Sequence, residues 1–257
     1  GEVIPRASMD GPLAAGIPGE AAALEHIATR YGRLPLAESL APAIRLAREG
    51  FEVKDRYRLL AGFRTAVLNA GGDGGRIFLV DGEVPAQGTV LRQPDLAATL
   101  ERIAADGAKG FYEGETARRL VAGVRRAGGI WTLADLADYR VVEREPITGR
   151  YRGIRVITAA PPSSGGVVLV EALNILEPWA LPSMAPVRRR HLVIEAMRRA
   201  YRDRADYLGD PDFVQMPVAR LTDKDYAAGL RARIDPERAT PSEALPPITV
   251  SDSRGTD

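Results

Sequence analysis

Pro161-Pro162-Ser163-Ser164-Gly165-Gly166 is the stretch of this sequence from which the fold can best be inferred. It follows Ile154–Thr158, whose β-branched residues predict a strand, and it precedes Val167–Leu176, an apolar run long enough for a buried helix. Prolines end a strand, serines can cap a helix, and glycines let the backbone approach a neighbour closely. The stretch therefore predicts a strand-to-helix junction.

The start of the predicted helix has two interpretations. Free backbone N–H groups and the helix dipole converge at Ser164, Gly165 and Gly166, where they could bind an anion. A tight turn packed against the core uses the same residues without any ligand, and it is the simpler interpretation. No Gly-Lys-Ser/Thr sequence follows, which excludes a Walker-type phosphate loop.

The composition limits the class of protein. The chain has 257 residues, 45% of them hydrophobic, which is enough for a sizeable core. Lys and Arg number 35 against 34 Asp and Glu, so the charge indicates neither a nucleic-acid partner nor an acidic membrane surface. The absence of cysteine excludes disulfides, thiolate zinc sites and a cysteine nucleophile within this sequence. No run approaches ~20 apolar residues, so we predict no membrane span.

Helical patterns dominate the first half of the sequence, and strands are predicted mainly in the second. We predict helices over residues 20–31, 36–49, 54–68, 93–105, 115–127, 133–139, 167–177 and 187–207, and strands over residues 77–80, 141–143, 147–151 and 154–159. Pro42 predicts a break or a later start of the second helix. Residues 236–257 are rich in Pro, Ser, Thr and Asp and lack periodicity, which predicts an extended C-terminal tail.

The order of these elements favours the α+β class. Helices flank a sheet, and the predicted strands are joined by hairpins rather than by repeated helical crossovers. The sequence contains neither an internal repeat nor an independent linker. We therefore predict a single domain over residues 1–257.

No set of residues in the sequence is self-sufficient for catalysis. His26 and His191 lie in predicted helices without a second His or Cys at ligand spacing, so we predict no metal site. No serine lies in a Gly-x-Ser-x-Gly context, which leaves a serine triad unsupported. The acidic cluster from Asp203 to Asp212 could serve acid–base chemistry or calcium, but we interpret it as helix-end and turn capping. These residues indicate a well-formed globular chain without a catalytic set of its own.

Segments spread over nearly the whole length of the sequence carry a resemblance to a known family. They are AGIPG (15–19), YGRLPL (31–36), PAIRLAREGF (42–51), GFYEG (110–114), DLADY (135–139), YRG (151–153), PPSSGG (161–166) and DRADYLGDPDF (203–213). Each segment is weak alone. Their order and spacing together resemble the large subunit of the γ-glutamyltransferases, which are members of the N-terminal-nucleophile hydrolase superfamily.

The resemblance implies a fold and a partner. A family precursor cuts itself in two, and its large and small subunits together form a four-layer αββα sandwich. The implied partner is the small subunit of the same precursor, whose N-terminal Thr is the nucleophile and uses its own α-amino group as base. The implied substrate is a small γ-glutamyl or amide compound of the glutathione type. Its acyl group passes through a γ-glutamyl-Thr ester to water or an amine, and no cofactor is expected.

The two ends of the sequence carry site residues that the resemblance implies. The C-terminal residues 251–257 resemble the stretch upstream of the family's cleavage point, so Asp257 is the expected autoprocessing site. Thr256 is a poorer candidate for the nucleophile because it has no free amine. Glu2 matches the Glu of an Arg-Glu pair that binds the substrate, but Gly1 stands where the Arg that grips the α-carboxylate is expected.

The resemblance leaves alternatives open. Either the missing Arg lies upstream of Gly1, or the enzyme has lost it, which favours a related acylase of the cephalosporin-acylase or poly-γ-glutamate-processing type. A further alternative is a non-catalytic scaffold that does not cleave itself. In each case the residues expected to shape the cleft are Ser163, Ser164, Gly165 and Gly166.

The resemblance also bears on location. The chain begins without an initiator methionine, so we expect an upstream segment that carries an export signal. The expected location is periplasmic or secreted in a bacterium, although the composition leaves the cytoplasm open.

Overall fold

Helices make up most of the chain in the computed structural model, which describes residues 7–245. The chain divides into two compact units, Gly1–Val142 and Glu143–Asp257. Whether these units fold together as the single domain predicted for residues 1–257 stays a prediction. No helix among residues 7–245 combines the length and the apolar character that crossing a bilayer requires.

The first unit is built from short helices around one core. Its helices are α1 (Glu20–Arg30), α2 (Leu36–Glu49), α3 (Asp55–Asn69), α4 (Gly74–Phe78), α5 (Pro94–Asp106), α6 (Lys109–Tyr112), α7 (Gly114–Arg126) and α8 (Leu133–Ala137). Strands β1 (Phe51–Glu52) and β2 (Val90–Leu91) pair antiparallel. The core consists of Ala21, Ala22, Leu40, Ile103, Tyr112, Ala117 and Leu136.

Two predictions in this unit are wrong. Pro42 neither breaks α2 nor delays its start, because α2 packs along α5 and buries Leu40 and Ala47 on that side. Residues 77–80 are not a strand, since helix α4 occupies the first half of that range. Only Val80 forms a bridge, to Glu83.

Helix α8 begins with a reciprocal side-chain cap. The Thr132 hydroxyl accepts a hydrogen bond from the Asp135 N–H over 3.2 Å, and the Asp135 carboxylate accepts one from the Thr132 N–H over 2.7 Å. This reciprocal pair satisfies backbone donors that the first helical turn leaves free.

The second unit combines a hairpin with a helical layer. Its strands are β3 (Ile147–Tyr151) and β4 (Ile154–Thr158), and its helices are α9 (Gly165–Leu176), α10 (Pro186–Tyr207), α11 (Val218–Leu221) and α12 (Lys224–Arg231). The strands pair antiparallel with Ile147 opposite Thr158 and Tyr151 opposite Ile154. The predicted turn between them is confirmed, with Arg152 and Gly153 both at positive φ. The strand predicted at 141–143 is wrong, because no described strand pairs with those residues.

Helix α9 is the central element of this unit. Ile147, Val167, Val170 and Leu221 form one core cluster, in which α9 packs against β3 and α11. Ile175, Leu176, Leu192, Ala196, Ala227 and Ile234 form a second cluster, in which α9 packs against α10 and α12. The apolar run predicted to be a buried helix is therefore a helix, and its apolar residues pack into both core clusters.

The first residues of the predicted C-terminal tail are described. Residues 236–245 contain no longer element than the 3₁₀ turn Ser242–Ala244. The remaining tail, residues 246–257, lies outside the described residues.

Candidate functional site at the strand-to-helix junction

The junction between β4 and α9 has the turn that its sequence predicts. The Ser163 N–H donates to the carbonyl of Ala160 over 3.2 Å, which closes the chain around the cis bond of Pro161–Pro162. Pro161 is buried and Ser163 is exposed. Helix α9 then begins at Gly165, so the stretch turns the chain from the strand directly into the helix.

The two glycines of the junction differ in how much space a side chain would have at each position. A Cβ on Gly166 would overlap the carbonyl oxygen of Ala159 and lie 3.0 Å from Cγ2 of Thr158. A Cβ on Gly165 would meet nothing nearer than the Ser163 hydroxyl, at 3.8 Å. The close approach of α9 to the end of β4 therefore requires a glycine at position 166 and not at position 165.

The prediction that a serine side chain caps α9 is wrong for Ser164. Its backbone is already helical (φ −74°, ψ −20°), and its side chain accepts no hydrogen bond from the first turn. An extended backbone is what aims a capping hydroxyl at those N–H groups. The hydroxyl accepts instead from Nε of Arg204 over 2.8 Å. Since Arg204 lies on α10, this bond ties the start of α9 to α10.

Two clefts adjoin the junction. The larger has a volume of about 630 Å³ and is lined by Pro161 together with Glu143, Arg144, Glu145, Ala160, Pro211, Val214, Gln215, Met216 and Val218. The smaller has a volume of about 270 Å³ and is lined by Pro162, Ser164, Arg204, Ala205, Leu208 and Gly209. The junction therefore forms part of the boundary of both clefts. That Ser163, Ser164, Gly165 and Gly166 shape a substrate cleft stays a prediction.

The carboxylates of the Asp-Pro-Asp turn have structural partners. Asp210 Oδ1 accepts from the Asp212 N–H over 3.0 Å, and the Asp212 carboxylate accepts from Nη2 of Arg144 at 2.8 and 2.9 Å. These contacts give both residues the capping and ion-pair roles that the sequence analysis favours. Among residues 7–245, no group of three or more His, Cys, Asp or Glu side chains could hold a metal ion.

The histidines also have local contacts. His191 Nε2 lies 2.8 Å from the Asp235 carbonyl oxygen. The His26 ring lies edge-on to Tyr31, with 6.2 Å between ring centroids. Both histidines lie in helices, as predicted.

Behind the junction lies a buried pair of carboxyl groups that the sequence analysis missed. Glu171 of α9 is 0% exposed and Asp203 of α10 is 1% exposed. No donor from the described residues bonds either oxygen of Glu171. Burial, and then the nearby Asp203, raise the pKa of Glu171 to about 9. The detectable signal was Glu171 itself, an acid inside the apolar run Val167–Leu176.

Asp203 has partners of its own. Burial raises its pKa, and the hydrogen bond from the Tyr226 hydroxyl over 2.6 Å acts in the opposite direction. Burial and then Asp203 raise the pKa of Tyr226, so this phenol stays a donor. Two ionised carboxylates cannot share an enclosed space without repulsion, and a proton on Glu171 removes one charge. The pair thus joins α9 to α10 through a protonated acid.

Site residues expected at the ends of the chain lie outside the described residues. These are Gly1 and Glu2 near the start and Thr256 and Asp257 at the end. The structure therefore does not bring them together with the junction, and their roles stay predictions.

Comparison with known proteins assigns the family. A sequence model of the family described as Gamma-glutamyltranspeptidase matches residues 2–256. A glutathione hydrolase proenzyme of Pseudomonas sp. (strain A14) is 43% identical over 254 residues, which covers 96% of this chain and 44% of the proenzyme. An acylase ACY 1 proenzyme of Pseudomonas sp. (strain SE83) is 40% identical over 242 residues, which covers 91% of this chain and 42% of the proenzyme.

A solved structure shows the fold. The crystal structure of Helicobacter pylori gamma-glutamyltranspeptidase is 37% identical in sequence and superposes with a TM-score of 0.93, covering 100% of this chain and 74% of that chain. This likeness confirms the predicted α+β fold class of the N-terminal-nucleophile hydrolases. The chain spans less than half the length of the curated relatives described above.

Proposed function

The chain belongs to the gamma-glutamyltranspeptidase family, and from this premise we propose that it is the large-subunit part of a self-cleaving proenzyme that transfers γ-glutamyl groups. The observation that carries the proposal is the 43% identity to a glutathione hydrolase proenzyme over 96% of the chain. Because the chain spans 44% of that proenzyme, the proposed partner is the remaining part of the same precursor, the small subunit. The two together complete the four-layer sandwich.

The proposed reaction uses a nucleophile that this chain does not contain. The N-terminal Thr of the small subunit attacks the γ-carbonyl of the donor, and its α-amino group takes up the hydroxyl proton. The α-amino group then passes this proton to the donor's nitrogen, and the donor's amine leaves as the C–N bond breaks. The γ-glutamyl-Thr ester is then cleaved by water or by an acceptor amine, which regenerates the hydroxyl. No cofactor enters these steps. In this chain, Glu2 is proposed to contact the substrate and Asp257 to be the autoprocessing site.

The proposed role of the junction is positional. Gly166 sets how closely α9 approaches the end of β4, and Ser164 is held by Arg204. The Ser164–Arg204 bond lies in the wall of the smaller cleft, and Ala160 and Pro161, which follow Ala159 in the chain, line the larger cleft. A substrate-facing wall needs a rigid backbone. We assign Ser163, Ser164, Gly165 and Gly166 to shaping the cleft and not to the chemistry.

An exposed apolar stripe on α10 supports the proposed partner. Ile194, Met197 and Tyr201 are exposed, and their spacing places them on one face of the helix. Ile154 and Ile157 of β4 are exposed as well. Apolar surface of this kind commonly marks an interaction site, and the small subunit is the occupant we propose.

Expression of the whole precursor tests the proposal. We expect self-cleavage into two bands on a denaturing gel, and release of the chromophore from a γ-glutamyl anilide by the cleaved protein. Alanine in place of the residue that follows Asp257 should abolish both. An intact precursor-sized band, without turnover, would instead support the non-catalytic scaffold.

The second candidate function is that of an acylase with another donor. The 40% identity to an acylase ACY 1 proenzyme favours it. The test compares the γ-glutamyl anilide with an acyl anilide of equal chain length that lacks the α-amino and α-carboxylate groups. A cleaved enzyme that turns over only the second compound is an acylase. An export signal and a periplasmic or secreted location are proposed on the family resemblance, and fractionation of the native cells tests them.

A further inference from the structure

Helix α10 carries a buried glutamate whose carboxylate is fully hydrogen bonded. Glu195 is 1% exposed. Its Oε1 accepts from Nη1 of Arg198 at 2.7 Å and from the Thr240 N–H at 3.2 Å, and its Oε2 accepts from Nη1 of Arg199 at 2.6 Å and from the Thr240 hydroxyl at 2.5 Å. Burial alone would raise the pKa of Glu195, but these hydrogen bonds outweigh burial and lower it to about 2.

The two arginines direct their other donors to the same segment of chain. Arg198 donates to the Thr240 carbonyl at 2.6 Å and to the Ser242 hydroxyl at 3.0 Å. Arg199 donates to the Arg233 carbonyl at 2.9 Å and to the Thr240 hydroxyl at 3.2 Å. We call Glu195, Arg198 and Arg199 the tail clamp, because they hold the chain between Arg233 and Ser242.

Other side chains of α10 also contact the clamped segment, since His191 Nε2 lies 2.8 Å from the Asp235 carbonyl oxygen and Arg188 pairs with Glu237. Ile234 is its buried residue, and residues 235–239 are exposed. A buried ion-pair network adds little net stability compared with apolar side chains of the same size, but it specifies one geometry. The geometry specified here is the path of residues 233–242 across α10. That path is where the chain leaves the helical layer toward its C-terminal end.

We propose that the tail clamp positions the C-terminal segment for self-cleavage. The inference rests on the proposed function, in which the peptide bond after Asp257 is cut. Cleavage adds one water across that bond and leaves a carboxylate on Asp257 and a free α-amino group on the next residue. The hydroxyl of that next residue must reach the Asp257 carbonyl, so the point at which the tail is anchored governs how often it does so.

The size of the effect follows from what the clamp fixes. Loss of the direction that the clamp imposes on residues 233–242 is expected to slow cleavage by about twofold to tenfold.

The experiment measures the first-order rate of self-cleavage of the whole precursor on denaturing gels. Thr240→Val removes the hydroxyl that bonds Glu195 and Arg199, and Arg198→Gln removes both contacts of Arg198 with the tail while the Glu195–Arg199 pair remains. We expect each variant to cleave about twofold to tenfold more slowly. Thr240→Ser keeps the hydroxyl and should cleave at the wild-type rate.

A matched control separates positioning from stability. Thr222→Val removes a hydroxyl that bonds only carbonyls of its own helical turn, and it should leave the rate unchanged. Once cleaved, the Thr240→Val enzyme should have the wild-type kcat and KM, because the proposed role of the tail clamp is limited to self-cleavage. Thr240→Val and Arg198→Gln precursors that fold and cleave at the wild-type rate overturn the inference. A wild-type precursor that stays whole overturns the proposed function instead.

Discussion

Two buried carboxylate sites on helix α10 compensate for burial in opposite ways. Glu195 keeps its charge because two arginines and Thr240 supply hydrogen bonds to both oxygens. At the other site Asp203 faces Glu171, whose oxygens lack a donor from the described residues, and the raised pKa of Glu171 keeps it protonated. Equal burial therefore does not imply equal charge, since the available donors decide which state is stable.

The largest expected effect tests the hydrogen-bonded site. Glu195→Ala leaves the guanidinium of Arg199, which is 5% exposed, buried without its carboxylate. We expect the free energy of unfolding of the full-length protein to fall by about 3–5 kcal/mol in urea at pH 7. The control is Glu237→Ala, which removes an exposed ion pair with Arg188 and should cost less than about 1 kcal/mol. Equal losses in the two variants would show that the clamp is not a buried ion-pair network.

The next effect tests whether close packing holds the start of α9 against the end of β4. Gly166→Ala forces a methyl group against the Ala159 carbonyl, where α9 meets the end of β4. Overpacking of this kind costs about 1–3 kcal/mol. Gly165→Ala makes only an ordinary van der Waals contact with the Ser163 hydroxyl and should change the free energy of unfolding by less than about 0.5 kcal/mol. Thermal unfolding of both variants measures the contrast, and a tolerated Gly166→Ala would mean that α9 can move away from β4.

The two sites also differ in how pH affects them. Between the ordinary glutamate pKa of 4.5 and about 9, folded Glu171 holds a proton that the unfolded chain has lost, so stability falls as pH rises through this window. Between about 2 and 4.5, folded Glu195 lacks a proton that the unfolded chain holds, so stability rises with pH there. The combined contribution of Glu171 and Glu195 to the free energy of unfolding should therefore be largest near pH 4–5.

Glu171→Gln isolates the acid pair. Glutamine has the shape of the protonated acid and donates an N–H toward Asp203 without needing a proton. We expect the decline of the unfolding free energy from pH 5 to pH 8, which is at most about 1.4 kcal/mol per pH unit in the wild type, to become flatter. Glu177→Gln, a change near the end of the same helix at a residue bonded to Lys224, should keep the decline. The same slope in both variants would assign the pH dependence to other groups.

The parts of this fold that sequence could predict are those with local causes. The apolar run after Gly166 predicts α9, and Thr132 with Asp135 predicts the start of α8. Pro42 misleads because packing along α5 overrides a local cost. Residues 77–80 mislead because a short apolar run fits a helix or a strand equally well.

The candidate site was harder to predict because its contacts join distant residues. Ser164 is a capping residue by type, but its partner Arg204 lies on another helix, and local pattern gives no sign of that bond. The clamp was visible only in part. Glu195 and Arg199 have the spacing of an ion pair on a helix, whereas their shared partner Thr240 lies far along the chain. Only Glu171 could have been recognised from the sequence as an unusual buried residue, because it is an acid within an apolar run.

The smallest expected effect asks whether a hydrogen bond also holds the junction end of α10. Ser164→Ala removes the acceptor for Arg204, which is exposed and can turn to water, so the loss should be about 0.5 kcal/mol. Ser183→Ala, which removes an exposed bond to the Ala180 carbonyl, provides the baseline. A double-mutant cycle with Arg204→Met measures the coupling directly. A coupling energy of about 2 kcal/mol or more would contradict the contrast between the junction and the tail clamp. The junction would then be held by a strong hydrogen bond, as the tail clamp is.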